Sequence, residues 1–355
     1  LKRKITREVT IGNIKIGGNN PIAIQSMNNT DTRDVVRTIE QIKQLAIAGC
    51  DITRVAIPDM EAAKALKEIC KSSPLPVVAD IHFDYRLAIE SIKNGAAKIR
   101  INPGNISDKA KLKLVADTAK GYGIPIRVGV NSGSVSKKFI ETWGGVNENS
   151  MVESAIESIG YLEDCGFDNI VLSIKASDPM LTINTYRLIS ERIDYPLHVG
   201  VTEAGTPKEG IIRSAVGIGT LLAEGIGDTI RVSLTGDPLK EVECAISILK
   251  ALGHREEGVR IISCPTCGRT CVDLINIAEQ AQERFGNIKA PIRIAIMGCA
   301  VNGPGEAREA DIGIAGGVDE FLLFIKGKTI RKIPQDKVLD ELEAEIAKLI
   351  DAKGH

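Results

Sequence analysis

The residues best suited to chemistry are the turn Cys264-Pro265-Thr266-Cys267 and the later loop Met297-Gly298-Cys299-Ala300-Val301-Asn302-Gly303-Pro304-Gly305-Glu306. Two thiols at C-x-x-C spacing, with a third on a separate loop, suit a soft metal, either a zinc ion or an iron–sulfur cluster. Zinc ribbons commonly supply two C-x-x-C pairs. Here a single pair exists, and the other candidate ligands are Cys271, one helical turn beyond Cys267, Cys299 and Glu306. Glycines remove side-chain obstruction and prolines fix turns, so the second loop leaves clearance for something bulky. A cuboidal cluster needs that clearance and a single zinc ion does not. The fourth ligand stays open among Cys271, Glu306 and a substrate atom. Cys50, Cys70, Cys165 and Cys244 stand singly in helical contexts and are expected to pack as small hydrophobes.

A second constellation falls where short apolar runs end. It comprises Arg54; Asp80 and His82; Arg100 and Asn102; Arg127 and Asn131; Lys175; Thr202 and Glu203; and Arg231 and Ser233. Five cations with this alternation make an anion pocket, because guanidinium forks match phosphate oxygens. The phrases Arg100-Ile101-Asn102 and Arg127-Val128-Gly129-Val130-Asn131 each offer a charge and an amide donor, which suits more than one phosphoryl group. Glu203 differs in sign, and a carboxylate among cations is a candidate proton donor or acceptor. The alternative is that it and some of the cations form structural ion pairs. His82 beside Asp80 is as readily structural as catalytic.

The elements that must position these groups repeat one theme. Apolar strands are expected at 22–25, 52–57, 77–81, 98–101, 126–130, 170–174, 197–201 and 229–233, separated by amphipathic helices such as 35–48 and 62–71. Gly49, Gly95, Gly166 and Gly225 fall near helix ends, where glycine caps. Eight strand–helix units in this length imply a parallel (β/α)8 TIM barrel, whose chemistry sits at the carboxyl ends of the strands. The alternative, a doubly wound open sheet, lacks its glycine-rich turn: Gln25-Ser26-Met27-Asn28-Asn29 follows the first strand. A helix at 241–252 closes the barrel. Beyond it lie a strand before Cys264, a helix at 272–285, strands at 292–297, 311–315 and 321–325, and a last helix at 336–352. The expected division is a barrel over 1–253, a linker over 254–258 and a smaller α+β domain over 259–355, which carries the clustered cysteines.

Composition narrows the function. A formal net charge of −1 and only 3% aromatic residues argue against nucleic-acid binding, which needs basic surface and stacking platforms. No apolar run reaches the ~18 residues of a membrane span. A basic start without an apolar signal core leads to the expectation of a cytoplasmic protein, with no membrane partner. Reduced cysteines there favour metal or catalytic roles over disulfides. A zinc-stapled aldolase or phosphatase, and a cluster-bearing sensor without catalysis, are the competing classes.

The turn Cys264-Pro265-Thr266-Cys267-Gly268-Arg269, the loop from Gly298 to Ala307 and the opening Ile24-Gln25-Ser26-Met27 together resemble the 4-hydroxy-3-methylbut-2-en-1-yl diphosphate synthases of the methylerythritol phosphate route to isoprenoids. The resemblance covers essentially the whole chain, in the short two-domain form without the central domain of plant relatives. It implies a [4Fe–4S] cluster held by Cys264, Cys267, Cys299 and Glu306, with Cys271 outside the ligand set. A carboxylate is a harder, more displaceable ligand than thiolate, so the iron at Glu306 can open to a substrate oxygen. The implied reaction opens 2-C-methyl-D-erythritol 2,4-cyclodiphosphate and removes a hydroxyl as water, consuming two external electrons to give 4-hydroxy-3-methylbut-2-enyl diphosphate. The implied substrate-binding residues are Arg54, Arg100, Asn102, Arg127, Asn131, Lys175, Arg231 and Ser233, and the acid/base residue is Glu203. No dinucleotide fingerprint is visible, so ferredoxin or flavodoxin is the expected electron donor. The resemblance also implies a head-to-tail homodimer, the cluster of one chain meeting the barrel of the other.

Overall fold

A computed structural model of the chain describes residues 3–106, 108–286, 288–299, 305, 308–317 and 320–353. It divides into two compact units between Arg255 and Glu256.

The first unit is the (β/α)8 barrel. Its strands are β3 (Ala23–Met27), β4 (Ile52–Ala56), β5 (Val77–Asp80), β6 (Lys98–Ile101), β7 (Ile126–Asn131), β8 (Ile170–Lys175), β9 (His198–Val199) and β10 (Thr229–Ile230), all parallel. Seven helices of this unit start at side-chain caps: Asp34, Asp59, Asp84, Asp108, Asn147, Asp178 and Asp237 each accept a hydrogen bond from a backbone N–H of the first turn. Each cap satisfies a donor that the helix itself cannot. The outward faces of the strands and the inward stripes of the helices form one apolar core, in which Ile42, Leu66, Ile99, Val128, Leu172 and Leu221 are fully buried.

Two features of this unit differ from what the sequence implies. Residues before the first barrel strand form a hairpin, β1 (Val9–Ile11) with β2 (Ile14–Ile16). Its Val9, Ile11 and Ile16 pack on Ala23, Ile52, Val78 and Val171, the first inward residues of their strands, and so plug the amino-terminal end of the barrel. The last two strands are also shorter than 197–201 and 229–233, at two residues each. Their continuations carry Gly200, Thr202, Arg231 and Ser233, where the chain leaves the ladder to form the mouth.

The short β9 makes the β8/β9 seam the weakest part of the barrel. Closure there rests on a parallel bridge between Leu172 and Leu197, on Leu172 N–H donating to Pro196 O at 2.9 Å and on Thr202 N–H donating to Ala176 O at 3.1 Å. The buried Tyr186, on α7 (Pro179–Arg192), supplies what the ladder lacks: its hydroxyl accepts from Ile174 N–H at 3.0 Å and donates to His198 O at 2.6 Å.

The second unit is a five-stranded sheet in the order β11 (Val259–Ser263), β12 (Ile292–Met297), β13 (Ile312–Gly316), β14 (Glu320–Ile325) and β15 (Lys328–Pro334). The first three strands are parallel and the last two antiparallel. Ile294, Ile296, Ile312 and Ile314 face α10 (Leu274–Phe285) and α11 (Val338–Lys353), burying Phe285, Leu342 and Ile346. The charged strand β15 was not foreseen. It is an exposed edge whose Lys and Arg side chains blunt further strand pairing.

Replacing Tyr186 with Phe strands a buried N–H and a buried C=O at the seam. Urea unfolding should show a loss of about 1–3 kcal/mol; an unchanged midpoint would mean that the seam does not need the hydroxyl.

Candidate functional site

Period-two alternation sends one column of each barrel strand into the lumen. The carboxyl ends of these columns line a cavity of about 150 Å³ formed by Arg54, Asp80, His82, Arg100, Arg127, Gly129, Asn131, Ser173, Lys175, Thr202, Arg231 and Ser233. Barrel interiors are usually filled by branched apolar side chains. Here the apolar layer is confined to the floor over the hairpin.

The charge balance of this lumen is lopsided. Arg54, Lys98, Arg100, Arg127 and Lys175 are all buried, and Arg231 is largely so. Two carboxylates oppose them. Asp80 Oδ1 lies 3.1 Å from Arg100 Nη1, and its Oδ2 lies 3.8 Å from Arg54 Nε and 3.6 Å from His82 Nε2. Glu241, on α9 (Pro238–Ala251), lies 3.5 Å from Arg231 Nη2 and accepts from Leu234 N–H and Ser26 Oγ. Arg54 also donates to the Met27 thioether, at 2.8 Å from Nη2. The Nε atoms of Arg100, Arg127 and Arg231 are buried without a hydrogen-bond partner.

Proton affinities follow this crowding. Burial lowers the Arg54 pKa to about 10, with Arg231 and Arg100 adding to the effect against the attraction of Asp80. Burial and then neighbouring cations push Arg127, Lys98 and Lys175 down as well. For Asp80, burial alone would raise the pKa. Arg54, His82, Arg100 and Arg127 outweigh it and hold the carboxyl well below its usual range. Buried cations in this excess repel one another, and a bound anion would relieve that repulsion.

Of the residues expected to bind substrate, Arg54, Arg100, Arg127, Asn131, Lys175, Arg231 and Ser233 line the cavity, and Asn102 does not. Asn102 is buried beside it, and its Oδ1 accepts from Gly104 N–H at 3.2 Å to start the turn at Pro103–Asn105. Glu203 is exposed, next to the cavity-lining Thr202, in the left-handed region with φ 52°. A non-glycine residue held there is strained, and such strain gathers at functional sites. Sequence reading did not single out Ser173 or Gly129. The signal for Ser173 was its place two residues before Lys175 on one strand. Gly129 makes room: a Cβ there would lie 2.5 Å from Arg100 Nε.

In the second unit, parallel register pairs Ser263 with Ile296, so the chain leaves both strands at the same carboxyl edge. Cys264 Sγ there accepts from Gly298 N–H at 3.2 Å, which brings the Cys264 thiol beside the Cys299 backbone. Thr270 Oγ1 accepts from Cys267 N–H, and Cys271 N–H donates to Gly298 O at 3.2 Å. The turn at 264–271 is thus folded onto Gly298. Backbone bonds with Arg269, ahead of the Arg269 and Thr270 side chains, lower the pKa of the exposed Cys267 thiol. Cys271 is also exposed, its Sγ donating to Arg269 O. Among the described residues no three His, Cys, Asp or Glu side chains gather at metal-binding geometry. Glu306 lies outside the described residues. The donor set still fits a thiolate-bound cluster: it is thiol-rich, partly exposed, at the carboxyl edge of parallel strands, and already provided with an N–H donor to sulfur. By contrast, Cys50 and Cys70 are inert packing residues, their thiols pushed up to about 12 by burial.

Fold and site together define a (β/α)8 barrel with an anion pocket, followed in sequence by a thiol-bearing α/β unit. Profiles described as the GcpE TIM-barrel domain and the GcpE protein C-terminal domain match residues 6–246 and 260–348. The chain belongs to the GcpE family. A relative from Caldanaerobacter subterraneus subsp. tengcongensis, named 4-hydroxy-3-methylbut-2-en-1-yl diphosphate synthase (flavodoxin), is 58% identical over 98% of this chain and 98% of its own. Relatives of the same name from Ruminiclostridium cellulolyticum and Geobacter sulfurreducens are 59% and 52% identical, each covering 98% of this chain and 99% of their own. Among solved structures, dihydropteroate synthase from Yersinia pestis matches with a TM-score of 0.50 at 12% identity, covering 69% of this chain and 98% of that one. Such a likeness concerns the barrel fold alone. No helix among the described residues is long and apolar enough to cross a membrane.

Asp80→Asn removes the carboxylate that Arg54 and Arg100 share, and should cost about 3–5 kcal/mol at neutral pH. Because the Asp80 pKa is lowered on folding, its contribution is fully present above the unfolded carboxyl pKa of about 3.9 and is lost as pH falls below it. Urea unfolding of both proteins at pH 7 and in acid checks this; equal stability at pH 7 would remove Asp80 from the account.

Proposed function

We propose that the chain is a 4-hydroxy-3-methylbut-2-enyl diphosphate synthase, reductively opening 2-C-methyl-D-erythritol 2,4-cyclodiphosphate and expelling one hydroxyl as water. The single observation that carries this reading is the cation excess of the barrel lumen, read together with full-length relatives bearing that enzyme name. A cyclic diphosphate brings two phosphoryl groups to guanidinium and ammonium donors that outnumber the two carboxylates beside them.

In this reading Arg54, Arg100, Arg127, Lys175 and Arg231 hold the phosphoryl oxygens, while Asn131 and Ser233 donate neutral hydrogen bonds. Asn102 shapes the loop after β6 through its Oδ1 and offers its amide NH2 to the substrate. Asp80 aligns Arg54 and Arg100 without cancelling the field, since one carboxylate serves two cations. Glu203, exposed beside Thr202, exchanges a proton with the substrate hydroxyl region. Cys264, Cys267, Cys299 and Glu306 would hold a [4Fe–4S] cluster, with Cys271 outside the set. When bound, the cluster supplies electrons singly and an iron site whose carboxylate ligand is displaceable. Gly298 N–H donates to the Cys264 sulfur and so orients it. Flavodoxin, named in the relatives, is the electron donor, with ferredoxin the alternative. The working assembly is a head-to-tail homodimer in the cytoplasm, an expectation that rests on the family resemblance.

The test is anaerobic turnover of the cyclic diphosphate with a chemical reductant, alongside iron, sulfide and zinc analysis. Product formation with iron and sulfide present is expected; stoichiometric zinc without iron would sink the reading. Glu203→Gln should keep the iron content and lose turnover by a factor of about 10² or more, whereas full activity would remove Glu203 from the chemistry. Glu306→Ala should lower the iron content and Cys271→Ala should not; the reverse pattern would give the fourth position to Cys271.

A further inference from the structure

We propose that His198 is a positioning residue for Lys175, holding its ammonium from below as a neutral hydrogen-bond acceptor aimed by Thr229. The proposal rests on the reading of the barrel mouth as a diphosphate pocket and adds to it a residue that does not touch the cavity.

His198 is completely buried, one layer beneath the mouth. Its Nε2 lies 3.3 Å from Lys175 Nζ, and its Nδ1 lies 2.7 Å from Thr229 Oγ1. In the ammonium form that a bound phosphoryl group favours, Lys175 has donors only, so Nε2 accepts. A neutral ring then carries its proton on Nδ1 and donates it to the threonine. Register supplies the geometry: Thr229 and His198 are direct partners across β10 and β9, while Lys175 ends β8 on the other side.

Three further observations show that this line is built. First, Gly200 lies two residues after His198 on the same inward column. A Cβ there would sit 2.8 Å from Lys175 Nζ and 2.3 Å from Arg231 O, so only glycine leaves the lysine a path over the ring. Second, the Tyr186 hydroxyl ties the His198 carbonyl to the N–H of Ile174, the residue before Lys175. Lysine and histidine are therefore fixed to one another from outside the barrel as well as inside. Third, the charged groups acting on this line are Arg54 on β4, Lys98 on β6, Arg127 on β7, Arg231 after β10 and Glu241 on α9. Burial and then Lys175, Arg127, Lys98 and Arg54 hold the imidazole neutral. A charged ring at this point would repel the lysine it supports.

The function of the arrangement follows from the freedom of a lysine side chain. Four rotatable bonds let an ammonium drift from an anion site, and an acceptor beneath it fixes the head without cancelling its charge as a carboxylate would. Free inorganic pyrophosphate is the probe, titrated calorimetrically into the full-length chain, so the readout does not need the loaded enzyme. His198→Leu should weaken pyrophosphate binding about tenfold or more, while His198→Gln, which restores an acceptor near Nε2, should stay within about threefold of wild type. In a Lys175→Met background, His198→Leu should cause no further loss. Equal binding by wild type and His198→Leu, or equal loss in His198→Gln and His198→Leu, would overturn the positioning role and leave the pocket reading intact. No pyrophosphate binding by wild type would overturn the pocket reading itself. Should His198→Leu fail to fold, nitrogen-15 NMR of histidine-labelled wild type, with His198→Gln for assignment, decides the matter. A neutral ring protonated on Nδ1 is expected, and an imidazolium or a ring protonated on Nε2 would overturn the proposal.

Discussion

The excess of buried positive charge in the barrel is the constraint on which the rest of the structure depends. Arg54, Lys98, Arg100, Arg127 and Lys175 lie inside a fold whose lumen is normally apolar, with Asp80 and Glu241 as their carboxylate partners. Such an interior folds only if other terms outweigh the repulsion. They come from the apolar shell between strands and helices, from the hairpin plug at the floor, and from the hydrogen bonds of Tyr186 at the seam. Stability is thereby concentrated at one end and outside the barrel, and the carboxyl ends of the strands are left charged, buried and incompletely bonded.

The second unit uses a parallel sheet for a related purpose. Parallel strands release their chains at a common edge, so Cys264 and the Gly298–Cys299 segment, far apart in sequence, leave neighbouring strands side by side. Gly316, at the end of the next parallel strand, approaches the same place: a Cβ on it would lie 2.9 Å from Gly298 O. Small residues at three consecutive strand ends keep that edge open. The barrel therefore presents cations and the second unit presents thiols, each by the rule that places ligands beyond the carboxyl ends of parallel strands.

Much of this was legible in the sequence because it depends on period and type. Alternation along residues 100–102 and 127–131 identified the inward columns, and the apolar runs identified the barrel. What escaped depends on pairs of residues distant in sequence. Gly129 and Gly200 matter only because Arg100 and Lys175 lie against them. His198, within an apolar run, gave no sign of its lysine and threonine neighbours. Glu203 was noticed by charge, but its left-handed backbone was not. Asn102, read as a donor to substrate, also has a second task not visible in the sequence, its Oδ1 accepting from Gly104 N–H to start a turn. The hairpin at 9–16 lacks a long apolar run, and β15 is too charged to look like a strand until Phe321 and Leu323 are seen beside it.

The central claim is that the barrel lumen is destabilised by its own cations until a diphosphate enters. Thermal unfolding of the full-length chain at rising concentrations of the cyclic diphosphate, against the uncharged parent tetrol as control, tests it most directly. A ligand that binds only the folded state raises the midpoint steadily with the logarithm of its concentration. The account predicts that rise for the diphosphate, diminished by added salt, and none for the tetrol. A midpoint that ignores the diphosphate, or that responds equally to the neutral compound, would contradict it.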